Sequence, residues 1–595
     1  MKLPSLEFLA DAFWQTCRRF PAAMLSAAIG TLALMFLIEN NDEDFFVRGW
    51  MVALLGLPFF TGLTACGEMR GWPAVKNWAA AGIGAALLLG YFFWLDPDAK
   101  LFERVELPRY LAWLAVAHLW VSFAPYLNRT SSVADFWEYN KQLFANFVTG
   151  GVYTLILWGG LSAAIMAVDQ LFDVHIDYKT YGHLFILLAG MFSTAYSLHR
   201  FPKDFRFDAD EIEFTGAFKN LCKFIFIPIV ALYFLILYAY SAKILVTWDL
   251  PHGWVSSLVI GFAAAGIFTW LLNFFMPRFD SGSIVGNFKK WFWPVLFPMV
   301  GLLFVAIARR IWDYGITEER FFVAHTGAWL TLCCVFFVLI KSEDIKFIPI
   351  SLAAFVLTAM YGPFSAFEST KRSQTHQLEA LLAKNNLLAD GKAKPAAQPL
   401  TGDDASRIYS CLQVLEDHQA LGTVEGWLGK PIADLPAPEN TYNDASKICA
   451  ALNVEFNAGS WQDTHFAVYS EWNGEAEIAG YEQFISVSTH YNTRDDYFPD
   501  GRKHFKIDST DRSTLILFEA RTELDRFPMA AQLAAWHALR TGSEYSVTLT
   551  PTQTAADLQG KNFTARLFVS NADCERVGDS LQLNSLNGVL FMKKK

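Results

Sequence analysis

The chain has 595 residues, of which 53% are hydrophobic and 18% charged, against about 25% charged in an ordinary soluble domain. Apolar runs of 18 or more residues recur before residue 367, which excludes a cytosolic enzyme, a nucleic-acid binder and a disordered scaffold. The formal charge of −10 divides into −3 for residues 1–368 and −7 for residues 369–595. So acidic a tail has no basic footprint for DNA or RNA, and no nucleic-acid partner is expected.

In chain order, residues 1–19 come first. Leu3, Leu6, Phe8, Leu9, Phe13 and Trp14 alternate with polar groups there, so the segment reads as an amphipathic interfacial helix rather than a cleaved signal peptide. Residues 20–368 form the predicted transmembrane domain. Its apolar runs are 20–38, 49–66, 79–95, 109–126, 143–168, 181–198, 224–242, 254–275, 291–308, 321–340 and 347–366. Each approaches the ~20 residues that cross a ~30 Å hydrocarbon core, and backbone groups in lipid must pair within their own segment, so about eleven helices are expected. The run 291–308 is the weakest, because Pro294 and Pro298 free carbonyls that only neighbours can satisfy.

Lys and Arg in the connections number 17 on the N-terminal side and 9 on the other. That bias places the N-terminus inside, and an odd span count places the tail outside. The expected fold is therefore a polytopic α-helical membrane bundle, N-in and C-out, followed by a soluble α+β, β-rich C-terminal domain.

Three features of the membrane part could carry chemistry. His118 lies near the middle of the fourth run, where an ionisable group is either glue between helices or a proton or ligand site. Lys243 ends the seventh run, as a snorkelling lysine or as a transport counter-ion. The connection Arg309-Arg310-Ile-Trp-Asp313-Tyr314-Gly315-Ile-Thr317-Glu318-Glu319-Arg320 places six charges and two aromatics at a membrane boundary. It could grip a ligand or partner. It could equally be a turn, with Gly315 left-handed, Thr317 capping the next helix, and the arginines paired with Asp313 and the glutamates.

The tail divides into a helical neck, 369–456, and a β-rich domain, 457–595. Ser373–Leu388 has helical spacing stopped by Asp390-Gly391, and Lys392–Pro399 reads as a linker. Asp403–Gly422 and Asn443–Leu452 read as helices, capped by Asp403 or Asp404 and by Asn443. Strands are expected at 466–472, 475–478 (a hairpin through Asn473-Gly474), 483–488, 514–518, 545–550, 565–570 and 581–592, with a helix at Pro528–Leu539. Cys411 and Cys449 could form one disulfide in an oxidising compartment. His490–Gly501 contains several aspartates, but their order matches no calcium loop. No nucleotide, zinc, serine-hydrolase or dinucleotide signature occurs, so no catalytic residue, metal or cofactor is assigned.

Tyr314-Gly315-Ile-Thr317-Glu-Glu-Arg320 resembles a family of bacterial multi-pass membrane proteins catalogued as domain of unknown function 4153. Tyr361-Gly362-Pro363, Ser373-Gln374-Thr-His-Gln-Leu378-Glu379 and Gly480-Tyr481-Glu482 share that resemblance. It implies a bacterial inner membrane and no activity. Three readings stay open. The chain could be an envelope protein presenting a periplasmic recognition or assembly domain to another envelope protein. It could be a transporter or handler of a lipid-linked substrate, or an outer-leaflet membrane enzyme.

Overall fold

The computed structural model describes residues 6–595 except 40–43, 96–101, 128–130, 210–211, 213, 215, 248–253, 279–282, 436–442, 456–464, 471–479, 491–502, 509, 520–521, 540–545 and 578–579. Every apolar run of the sequence falls on a helix. These are α1 (Leu6–Arg19), α2 (Pro21–Glu39), α3 (Asp44–Met69), α4 (Ala74–Trp94), α5 (Leu107–Phe123), α6 (Val133–Phe172), α7 (Lys179–Leu187) and α8 (Ser193–His199). There follow α9 (Gly216–Leu221), α10 (Ile227–Thr247), α11 (Trp254–Leu272), α12 (Ser283–Tyr314), α13 (Glu318–Cys334), α14 (Phe347–Met360) and α15 (Ala366–Lys384). Single π-turns join α7 to α8 and α9 to α10. Among the described residues, eight of these helices or joined helices are long and apolar enough to cross a membrane, and α11 and α14 contribute shorter apolar stretches.

Side-chain contacts fix how the helices run. α2 is antiparallel to α3, since a Cβ at Gly30 would meet Ala53 while Gly56 faces Ser26. α4 is antiparallel to α3 through Gly84 on Phe59 and Leu88 on Gly56. α3 is parallel to α5, because the Tyr110 hydroxyl donates to Met51 O (2.9 Å) and Gly62 abuts Trp120. The α7–α8 pair runs against α2, with Gly182 on Ile38 and Gly190 on Thr31. It also runs against α6, where Trp158 Nε1 donates to Tyr181 O (3.1 Å) and Asn146 Nδ2 to Arg200 O (2.8 Å). α10 is parallel to α12 (Tyr238 to Val295 O, 2.8 Å; Ser241 to Met299 Sδ, 3.9 Å), and α11 is antiparallel to α12. α13 returns beside α12, and α14 is antiparallel to α13 (Trp329 Nε1 to Ser351 Oγ, 3.0 Å; His325 Nε2 at 2.9 Å from Phe355 O). α14 also runs against α5, with Trp113 on Tyr361 at one end and Leu119 walling a cavity with Leu352 towards the other. Followed through these contacts, α2, α3, α4, α5, α6, α7–α8, α10, α11, α12, α13 and α14 alternate in direction without a break. The bundle thus has a first end, where α2 begins, and a second end, where α14 finishes.

The prolines of α12 do not interrupt it. Each removes the donor for the carbonyl four residues earlier, at Lys290 and Pro294. Trp270 Nε1 donates to Lys289 O (3.1 Å) and Tyr238 to Val295 O (2.8 Å), so neighbouring helices bond the α12 backbone beside each freed carbonyl without filling the vacancy itself. At the first end Arg19 clasps Glu68 through two nitrogens (2.9 and 2.7 Å). It also donates to Phe201 O (2.9 Å) and Pro202 O (2.6 Å). One guanidinium therefore ties α1, α3 and the end of α8 together.

Leu381–Ser410 and Glu425–Lys595 form a second unit, with its core around Trp536, Phe466, Phe527 and Leu515. α15 ends at Lys384, so Leu388 is not helical. Asp390 (φ 52°) and Gly391 (φ 71°) instead turn a small hairpin of β1 (Leu388–Ala389) with β2 (Lys392–Ala393), where a helix stop and a linker were expected. Two left-handed residues in sequence are what a two-residue hairpin turn requires. α16 (Asp403–Asp417), α17 (Gly422–Leu428) and α18 (Asp444–Ala451) follow. Asp403 and Asp404 lie inside the first turn of α16 rather than capping it, whereas Asn443 caps α18 by accepting from Ser446 N (2.9 Å).

The strands are β3 (His465–Ser470), β4 (Gln483–His490), β5 (Lys503–Ile507), β6 (Thr514–Glu519), β7 (Thr522–Pro528), β8 (Ser546–Leu549), β9 (Ala555–Gln559), β10 (Phe563–Val577) and β11 (Ser580–Lys594). A six-stranded sheet runs β4-β11-β10-β3-β8 with β9 also on β10, and a second sheet runs β5-β6-β7. The helix expected at Pro528–Leu539 is α19 (Ala530–Ala538), because Pro528 still belongs to β7. The hairpin at Asn473-Gly474 and the segment 491–501 fall outside the described residues. Cys411 and Cys449 are buried and not joined by a disulfide, and burial pushes the Cys449 thiol up to about 12.

Asp525 on β7 is 5% exposed and accepts from the amides of Lys561 (2.7 Å), Asn562 and Phe563 (2.8 Å each), so it pins the turn between β9 and β10. Burial alone would raise its pKa, but these amides and that of Arg526 hold it below the ordinary 3.8. A depressed folded-state pKa contributes stability above pH 3.8 that is lost as pH falls through the folded value. Asp525→Ala should therefore cost the tail about 1–3 kcal/mol near neutral pH, and the deficit should shrink in acid. Protease-resistance titrations of the full chain against pH would check both, and a pH-independent deficit would refute the carboxylate's role.

Candidate functional site at the second end of the bundle

The connection between α12 and α13 is a tight turn. Gly315 has φ +74°, and its amide closes the last turn of α12 on Ile311 O (2.9 Å). Only glycine adopts that conformation cheaply. A Cβ there would also lie 3.0 Å from Gln377 Cγ and Ser373 Oγ, because α15 packs directly on the turn. Ser373 Oγ accepts from Ile316 N (2.8 Å), and Gln374 Nε2 donates to Ile316 O (2.9 Å) and Tyr314 O (3.3 Å). The backbone groups orphaned between two helices are thus met by a third.

The charges pair differently from the sequence expectation. Arg320 donates to Gly315 O (2.8 Å) and Tyr314 O (3.2 Å), capping the C-terminus of α12, with its guanidinium 5.5 Å from the Tyr314 ring. A cation belongs there, facing the negative end of the helix. Thr317 occupies the N-cap position of α13 in extended conformation, but its side chain makes no capping bond. Glu318 turns instead to His418, which is 5% exposed. Arg309 and Arg310 are exposed, beside Trp312 (87% exposed) and Tyr314 (56%). Asp313 belongs to α12, and its side chain lies outside the described residues.

Residues without a sequence signal complete the cluster. Arg104 pairs with Asp417 (3.1 Å), next to His418. Arg109 bonds Glu106 (3.0 Å) and lies 5.3 Å from the rings of both Tyr361 and Phe367. Trp113 Nε1 donates to the Tyr361 hydroxyl (2.8 Å), and Phe367 meets the His418 ring at 6.2 Å. Burial raises the Tyr361 phenol above its ordinary pKa despite that bond and the Arg109 charge. Three motif segments, 314–320, 361–363 and 373–374, therefore converge on one spot. Their partners in Arg104, Arg109 and His418 could not be found by spacing, since each ion pair joins residues far apart in sequence or hidden in a helix of ordinary composition.

His118 and Lys243 are not part of this cluster. His118 Nδ1 lies 2.8 Å from Leu114 O in its own helix, and the residue is exposed, so it does not glue two helices. Lys243 is exposed on α10. That helix meets α12 at Met299, ten residues and about 15 Å of rise short of Arg309.

Chemically, the cluster fixes the root of α15 on the bundle and leaves an aromatic and cationic rim of Arg310, Trp312 and Tyr314. Gly315→Val should cost about 1–2 kcal/mol or more in backbone strain alone and lower the yield of monodisperse protein in detergent. Arg310→Ala, an exposed change, should stay within about 0.5 kcal/mol. Size-exclusion profiles and thermal melts of both variants would check this, and an undisturbed Gly315→Val would refute the turn's structural role.

No solved structure matches the chain significantly. An uncharacterised protein of Pasteurella multocida (strain Pm70) is 26% identical over 231 residues, 37% of this chain and 38% of that relative. The family model described as "Domain of unknown function (DUF4153)" matches residues 26–393, which contain α3 to α15 and all three converging segments. The chain belongs to the DUF4153 family.

Proposed function

We propose that the protein is a multi-pass envelope protein of the bacterial inner membrane. In this reading α2 to α14 cross the bilayer eleven times from a cytoplasmic N-terminus, and the β-rich tail works in the periplasm as a recognition or assembly domain. The observation that carries it is the unbroken alternation of helix direction, which puts the start of α2 and the finish of α14 at opposite ends of the bundle. The 17 to 9 bias of Lys and Arg supports a cytoplasmic first end. Trp312, Tyr314 and Arg310 at the second end suit the opposite interface, where amphipathic rings and snorkelling cations sit.

A binding role is favoured over turnover because the polar groups at the second end are largely engaged with one another. Glu318 faces His418, Arg104 faces Asp417, and Arg320 serves helix carbonyls. The expected partner is another envelope protein, met by the tail.

Fusing a reporter after Lys595 tests the topology. A phosphatase that matures only outside the cytosol should be active there, and a cytosol-dependent fluorescent protein should stay dark. The reverse pattern would mean an even number of crossings and would end the proposal of a periplasmic tail.

A further inference from the structure

An apolar cavity of about 520 Å³ lies inside the bundle, between α5, α6, α11, α13 and α14. On α11 its wall extends from Ile260 to Leu272, twelve residues or about 18 Å along the helix axis. It begins near the first end, beside Lys141 and Ile345, and reaches inward to Ile260 and Thr326. It is therefore a slot parallel to the helices, about as deep as one leaflet of a ~30 Å hydrocarbon core.

The chemistry of its walls selects the occupant. Ile267, Leu271, Leu330 and Leu352 make it apolar. Several of the polar groups beside it already have partners. Asn140 Nδ2 donates to Phe136 O (2.8 Å) and Ser122 O (3.3 Å), Trp137 Nε1 to Leu271 O (2.6 Å), and Trp329 Nε1 to Ser351 Oγ (3.0 Å). Water needs two to four polar partners to occupy a cavity, so this one favours hydrocarbon. It also opens sideways. Phe144 (41% exposed) and Phe268 (40%) meet edge to face at 5.4 Å on the outer surface, and Ala264 between them and the interior is exposed. At the slot's charged end Lys141 bonds Glu138 (2.7 Å), and Lys, Arg predominate at that end of the bundle.

We propose that this slot holds one acyl chain of a glycerophospholipid. The chain enters from the leaflet at the first end, past Phe144 and Phe268, and the lipid phosphate stays outside at the level of Lys141. The inference requires only that the bundle sits in a bilayer and not which side the tail occupies, so it stands or falls separately from the topology above.

Two measurements on the full-length protein in detergent test it. A phospholipid with a diazirine near the end of one acyl chain should, on illumination, label peptides containing Ile260–Leu272 and Thr326–Leu330. Label confined to the largely exposed α4 would overturn the proposal, and so would equal labelling by a free fatty acid carrying the same diazirine at equal concentration. In native mass spectrometry the wild type should retain one phospholipid, and Ala264→Trp, which fills the slot from an exposed position, should reduce retention at least about tenfold. Unchanged retention in a folded Ala264→Trp variant would overturn it as well. Should that variant misfold, the labelling experiment decides alone.

Discussion

The backbone amides within the apolar helices of the bundle share one demand, since a group without water must find its partner in the protein. That demand makes each apolar run a helix, and it governs the exceptions too. α12 continues through Pro294 and Pro298, and Trp270 and Tyr238 donate to carbonyls beside the gaps. Trp137 and Tyr139 do the same at helix ends, donating to Leu271 O and Val121 O. Many of the buried aromatics are therefore hydrogen-bond donors placed where a helix runs short of them, with hydrophobic bulk as the rest of their contribution.

The two ends of the bundle solve different problems. At the first end Arg19 gathers three segments with one planar cation, which only a fork of five donors permits. At the second end the difficulty is a tight turn between long helices, and α15 supplies what the turn lacks through Ser373 and Gln374. His418 and Asp417 then bring the end of α16 onto α13 and the segment before α5. The Glu318–His418 contact is largely buried whereas Arg104 is mostly exposed, so the first holds the root of the tail helix more firmly than the second.

The positions of the helices could be read from hydropathy alone, because length and apolarity are sufficient for a span. Strands β3, β4, β6, β8, β10 and β11 could be read from alternation. β7 could not. Its inward positions include Asp525, and a buried carboxylate satisfied by amides looks in sequence like a solvent-facing one. Asp390-Gly391 was visible as a turn but was assigned the wrong neighbours, since a helix stop and a hairpin turn share the same left-handed residues. At the second end, the turn at Gly315 follows from glycine, and the arginine pairings do not. Arg320 sits five residues from the Gly315 carbonyl it serves, and of the glutamates beside it in sequence Glu318 faces His418.

These contacts also bear on what kind of activity the bundle can host. A transport route needs polar groups left open along the helix axis, and a catalytic site needs an acid or base facing a substrate. His118 instead rests on its own helix, Lys243 is exposed, Glu318 faces His418 and Asp417 pairs with Arg104. The cavity walled by Ile267, Leu271, Leu330 and Leu352 is apolar. In the reading proposed above, the bundle serves as the anchor and recognition falls to the surfaces it displays, the rim at Arg310, Trp312 and Tyr314 and the β-rich tail.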